Sequence, residues 1–168
     1  NGVHVWKANL DGTNPIQLTK GIDEGDSHWS GDGRWIVYAG GVESQLYKVL
    51  AAGGEPTLVT PVKGVNSIIV SPDGTRVAFR AWDATAEKTR ICVISFEDGK
   101  PIATLDYEFR NHQWSPDGRS LVYSYEDNGV VNLWSRPLDG GPARQLTHFK
   151  EGLINGFAFS RDGKRIAM

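Results

Sequence analysis

The sequence predicts an all-β chain, a β-propeller built of four-stranded antiparallel blades. Three observations predict it. A Ser-x-Asp-Gly turn occurs four times, at Ser30-Gly31-Asp32-Gly33, Ser71-Pro72-Asp73-Gly74, Ser115-Pro116-Asp117-Gly118 and Ser160-Arg161-Asp162-Gly163. Its serines are 41, 44 and 45 residues apart. Between these turns falls a second glycine turn, closing on Gly12, Gly53, Gly99 and Gly140, and no stretch keeps a helical period beyond a turn or two. A period of about 40–45 residues that holds four short strands is the spacing of propeller blades.

The turn has its own chemistry. Proline pre-sets φ, aspartate bonds nearby backbone, and glycine takes the left-handed conformation. An apolar residue precedes each serine (Trp29, Val70, Trp114, Phe159), and an apolar strand follows each glycine, as in Leu121-Val122-Tyr123. The second signature is a strand such as Leu133-Trp134, a turn at Asp139-Gly140, and a closing strand such as Gln145-Leu146-Thr147.

In chain order, residues 1–20 hold the third and fourth strands of a repeat. Complete repeats occupy 21–61, 62–107 and 108–149, the second with a longer central loop over 82–89. Residues 150–168 supply the first two strands of another. The two halves add up to one blade, so the reading is four blades per chain, the closing blade made from both chain ends. Pairing the ends removes open sheet edges. It is met by a four-bladed ring, or by two chains completing one larger ring as a homodimer. The chain begins without methionine or a signal peptide, which reads as a processed or excised piece.

Net charge is −2, so no basic field invites nucleic acid, and no apolar run approaches the ~20 residues of a membrane-spanning helix. Cys92 is the single cysteine, which excludes an internal disulfide. The compartment stays open between bacterial cytoplasm and periplasm.

The turn aspartates Asp32, Asp73, Asp117 and Asp162 are explained by turn chemistry. Trp6, Trp29, Trp114 and Trp134 occupy repeat-equivalent positions and are expected to pack between sheets. Trp82 opens the long loop and is the candidate exposed contact residue. Polar residues at the start of each innermost strand are the best lead to a binding site. Asp26, His28, Asn66, Arg110, Asn111, His112 and Asn155 would ring the mouth of a central channel. Against this, such residues also cap strand ends and bind water. Asp23, Glu24 and Asp26 form an acidic loop that lacks a calcium-loop pattern, and a solvated loop is expected. There is no Gly-x-Ser-x-Gly, His-Glu-x-x-His, Cys-x-x-Cys or phosphate loop. The reading is non-enzymatic, with no cofactor and no metal.

Three stretches carry a family resemblance: residues 114–123, residues 159–167, and residues 133–141 followed by Gln145-Leu146-Thr147. They resemble the TolB-like propeller repeats, relatives of the WD repeat, and the likeness covers nearly the whole chain. Residues 145–167 are similar to the final blade of large bacterial sensor proteins. The resemblance implies a propeller, in rings usually larger than four blades, and does not fix a ligand. The function expected is a scaffold or interaction module that binds protein or peptide and self-assembles into a closed ring. The alternatives are the regulatory propeller of a prolyl oligopeptidase-type hydrolase or receptor kinase, a small-molecule or sugar binder, and an engineered or reconstructed fragment with no natural ligand.

Overall fold

The computed structural model describes residues 2–106 and 111–168, within two compact units, 1–107 and 108–168. The described residues are all-β, as the repeats predict.

The first unit begins with a two-stranded sheet, β1 (Trp6–Lys7) against β2 (Ile16–Gln17). A four-stranded antiparallel sheet follows, β3 (Gly25–Trp29), β4 (Trp35–Gly40), β5 (Gln45–Leu50) and β6 (Thr57–Thr60), in chain order. A second comprises β7 (Asn66–Val70), β8 (Arg76–Asp83), β9 (Lys88–Ser95) and β10 (Pro101–Leu105), again in order. The first strands β3 and β7 lie side by side.

Period-two alternation gives each sheet two apolar faces. Val37, Ala39 and Leu46 of one sheet and Val77, Phe79, Ala81 and Ile94 of the next form one buried cluster. Val5 and Leu18 pack on Ile36, Tyr38 and Val49 in another. At the outer edge, the Lys48 ammonium lies over the Trp35 and Phe96 rings and donates to the Phe96 and Glu97 carbonyls at 3.1 Å.

The second unit holds β11 (His112–Trp114), β12 (Ser120–Asp127), β13 (Val130–Pro137) and β14 (Arg144–Gln145) in one antiparallel sheet. A two-stranded sheet of β15 (Ala158–Phe159) and β16 (Ile166–Ala167) follows. Phe157 is buried with Val122 and Leu133, and Phe159 and Ile166 pack against that cluster.

All four Ser-x-Asp-Gly turns close the same way. Each serine hydroxyl donates to its aspartate at 2.6 Å (Ser30 to Asp32, Ser71 to Asp73, Ser115 to Asp117, Ser160 to Asp162). The same hydroxyl accepts the N–H of the first residue of the return strand (Trp35, Arg76 or Ser120) or of the residue just before it (Arg165), at 2.9–3.0 Å. Serine is therefore both donor and acceptor at the point where two strands part.

Two expectations are corrected. The long loop at 82–89 is a strand extension. β8 runs to Asp83 and β9 starts at Lys88, because Asp83 Oδ1 accepts the N–H groups of Thr85 and Ala86 at 2.9 and 3.0 Å and Glu87 takes φ 49°, which makes a tight turn. The four tryptophans are not uniformly core. Trp114 is buried and Trp134 half-buried, but Trp6 is 55% exposed and Trp29 52%. Trp6 follows inward-facing Val5 and so points the other way. Trp29 pairs with Ile36 and shares its face, toward β1 and β2. Those two strands cover only the outer part of that face.

Candidate functional site

The residues expected at a channel mouth are placed by strand-start bulges. The pairing of β3 with β4 shifts register between Gly25 and His28, and that of β7 with β8 between Asn66 and Ile69. Inside these bulges Asp26 takes φ 50° and Ser67 φ 53°. The left-handed turn aims Asp26 sideways, so that its Oδ2 accepts the N–H of Ile68 on the adjacent sheet at 3.0 Å. In the second unit Asn111 Nδ2 donates to the carbonyl of Asn155 at 2.8 Å, and Gln113 Nε2 to that of Phe157 at 2.6 Å. These side chains bind the backbone of the next repeat.

The other candidates are distributed as follows. His28 is exposed on β3, opposite Val37. Asn66 Nδ2 donates to the Gly64 carbonyl at 3.0 Å. His112 is buried on β11, opposite Tyr123. Arg110 lies outside the described residues. Asp26, His28 and Asn66 belong to the first unit, and Asn111, His112 and Asn155 to the second.

A cleft lies elsewhere, between the β6–β7 connection and the β8–β9 hairpin. Its volume is about 600 Å³, and its walls include Val62, Lys63, Gly64, Trp82, Arg90 and Cys92. Trp82 is 57% exposed at its edge. The Arg90 Nε is 3.2 Å from both Asp83 Oδ2 and Asp106 Oδ1, and Lys88 pairs with Asp106 at 3.3 Å, so a fixed charge network frames one side. Hydrogen bonds from the Ala86 and Thr85 N–H groups, then Arg90 and Lys88, hold the Asp83 carboxyl below its usual range. Burial pushes the Cys92 thiol up, and Asp83 adds to it.

The same cleft recurs one sheet earlier, lined by Lys20, Ile22, Glu24, Tyr38, Tyr47 and Glu55, at about 370 Å³. Register explains the difference in size. Tyr47 pairs with Tyr38 and stacks on it at 5.8 Å between ring centroids, whereas its counterpart opposite Phe79 is Cys92. A thiol in place of a phenol ring leaves the later cleft open. In the second unit the corresponding space is about 230 Å³, beside Val131, Phe149 and Leu153.

Sequence reasoning missed Glu24, and the acidic loop is not simply solvated. Glu24 is buried at 5% exposure, and its Oε2 lies 3.0 Å from His4 Nδ1. Burial, with Glu24 and Tyr47 adjacent, raises the Tyr38 phenol well above its ordinary range. A signal was present. Six residues before each turn serine stand Glu24, Val65, Phe109 and Ile154, one carboxylate in an otherwise apolar column.

No family model matches the chain. An uncharacterized protein of Agrobacterium fabrum is 30% identical over 145 residues, covering 83% of this chain and 48% of that protein. TolB of Francisella tularensis is 31% identical over 110 residues, covering 63% of this chain and 25% of TolB. Dipeptidyl-peptidase 5 of Porphyromonas gingivalis is 26% identical over 151 residues, covering 79% of this chain and 22% of the peptidase. The chain thus spans about half or less of these relatives. Among solved structures, TolB from Acinetobacter baumannii superposes with a TM-score of 0.76 at 22% identity, covering 96% of this chain and 41% of that one. A protein assigned as TolB from Agrobacterium tumefaciens gives 0.67 at 26% identity, covering 95% and 58%. The repeated turns, the in-order antiparallel sheets and these likenesses agree: the chain has a TolB-like β-propeller fold.

Proposed function

We propose that the chain is a non-enzymatic interaction module that binds a protein or peptide segment at the cleft beside Trp82. The observation that carries the reading is the pairing of an exposed tryptophan with an apolar-walled space of about 600 Å³. A large rigid side chain at the rim of a pocket is the usual anchor of an interface. The inner-strand candidates support it less, because Asp26 and Asn111 are occupied by neighbouring backbone. Peptides selected from a display library against the whole chain test it. They are expected to lose about tenfold or more in affinity on Trp82→Ala. A selected set indifferent to that change contradicts the reading.

Self-assembly into a closed ring extends this proposal. Trp29 faces a position where β1 and β2 provide outer strands only. β15 and β16 are a pair of the missing kind, and Ala158 and Ala167, paired and exposed, give a small-residue face. A second copy could lay that face over Trp29. Light scattering across a dilution series then gives twice the 18.4 kDa chain mass, reduced on Trp29→Glu. A single-chain mass at every concentration contradicts assembly. A second reading, the regulatory propeller of a larger peptidase, draws on the likeness to dipeptidyl-peptidase 5, of which this chain covers 22%.

A further inference from the structure

We propose that the cleft around Glu24 is a binding site for an organic cation, a primary ammonium or guanidinium group. This site is separate from the one beside Trp82 and does not depend on it.

Burying a carboxylate is costly unless something compensates. The fold does not demand one here: the equivalent position in the next sheet is Val65, buried at 2% exposure. Glu24 therefore adds a charge where an apolar side chain serves the packing. Its Oε2 lies 3.0 Å from His4 Nδ1, and the Tyr38 hydroxyl hydrogen-bonds to the same carboxyl group. No lysine or arginine is paired with it among the described residues.

The surroundings suit a cation. Tyr38 and Tyr47 are stacked against each other in the cleft wall, and aromatic faces attract ammonium and guanidinium groups. Glu55 stands on the rim, and Lys20 is the one basic side chain in the lining, so carboxylates outnumber it. Glycines keep the cradle open. A Cβ on Gly21 would lie 2.6 Å from Glu24 Oε1, and one on Gly40 would lie 3.0 Å from the Tyr38 ring and 3.3 Å from Glu24 Cγ. A Cβ on Gly41, whose φ is 78°, would lie 3.6 Å from the Tyr47 hydroxyl. The cleft of about 370 Å³ has room for a single extended side chain and is too small for a folded element.

The experiment is an amide-resolved NMR titration of the whole chain with n-butylguanidinium, against its neutral isostere n-butylurea, at constant ionic strength. The cation is expected to give saturable shifts at Gly21, Glu24 and Gly41, and the urea none. Glu24→Gln, which keeps the shape, is expected to weaken binding about tenfold or more, as is usual for loss of a charged partner. Tyr47→Leu removes a ring without touching the His4–Glu24 pair and is expected to weaken binding as well. It decides the matter if Glu24→Gln fails to give a dispersed spectrum. N-acetyl-arginine methylamide binding more tightly than n-butylguanidinium assigns a peptide side chain as the natural occupant, and equal binding assigns a free small cation. Absence of saturable shifts, an equal response to the urea, or unchanged affinity in a folded Glu24→Gln chain overturns the proposal.

Discussion

The Oδ2 of Asp26 accepts the backbone N–H of Ile68 from the adjacent blade at 3.0 Å. A residue of one inner strand thus closes the backbone of the next. In the second unit Asn111 does the converse, donating to the Asn155 carbonyl. A carboxylate meets a donor in one case, and an amide meets an acceptor in the other.

Asp26→Ala is expected to lower stability by about 1–3 kcal/mol, since it leaves the N–H of buried Ile68 without its acceptor and puts alanine at φ 50°. Asp26→Asn keeps both an acceptor and tolerance for that backbone, and should cost less. Urea denaturation of the two variants gives the comparison. Equal losses would show that the bond between blades contributes nothing.

Stability should fall in acid through the turn aspartates. The Ser71 hydroxyl, then Thr75 and Arg76, hold Asp73 well below the usual carboxylate range, and Ser30, Ser115 and Ser160 act likewise on Asp32, Asp117 and Asp162. The folded chain therefore gives up these protons more readily than the unfolded one. The stabilisation is complete above the unfolded value of about 3.9 and is lost as pH falls through the depressed folded values. Thermal unfolding between pH 6 and pH 2 should show it. Ser71→Ala, which also strips the Arg76 N–H of its acceptor, should flatten part of the slope.

Gly99 is expected to be intolerant of a side chain. Its φ is 69°, and a Cβ would lie 1.9 Å from the Val59 carbonyl oxygen on the neighbouring blade. Gly99→Ala should destabilise by more than about 1 kcal/mol, beyond the conformational cost alone. Gly129, at φ 80° with nothing within 4 Å, is the control and should show the conformational part only. Denaturant midpoints for the pair separate steric from conformational cost.

Much of the fold was legible because each turn carries its chemistry in four consecutive residues. Ser115, Asp117 and Gly118 specify donor, acceptor and left-handed corner, and that pattern recurs at a fixed spacing. The tryptophans were harder. Trp29 and Trp114 occupy the same repeat position, yet one is exposed and the other buried, and a strand's pattern does not report what covers it. Asp26, Asn111 and Gln113 bond backbone atoms about 40 residues away, partners that side-chain identity does not disclose. Glu24 was visible only as an exception within its aligned column. The cleft beside Trp82 depends on Cys92 standing where Tyr47 stands one blade earlier, a register that needs the strand pairing.

The measurement that bears most directly on the account is peptide affinity compared across Trp82→Ala, Cys92→Tyr and His28→Ala in the whole chain. Cys92→Tyr restores the ring that narrows the preceding cleft, and His28 is an exposed inner-strand residue remote from it in the pairing. The account predicts that the first two weaken binding about tenfold or more and that His28→Ala leaves it unchanged. Loss on His28→Ala with full binding in Trp82→Ala and Cys92→Tyr would contradict it and return the site to the inner strands.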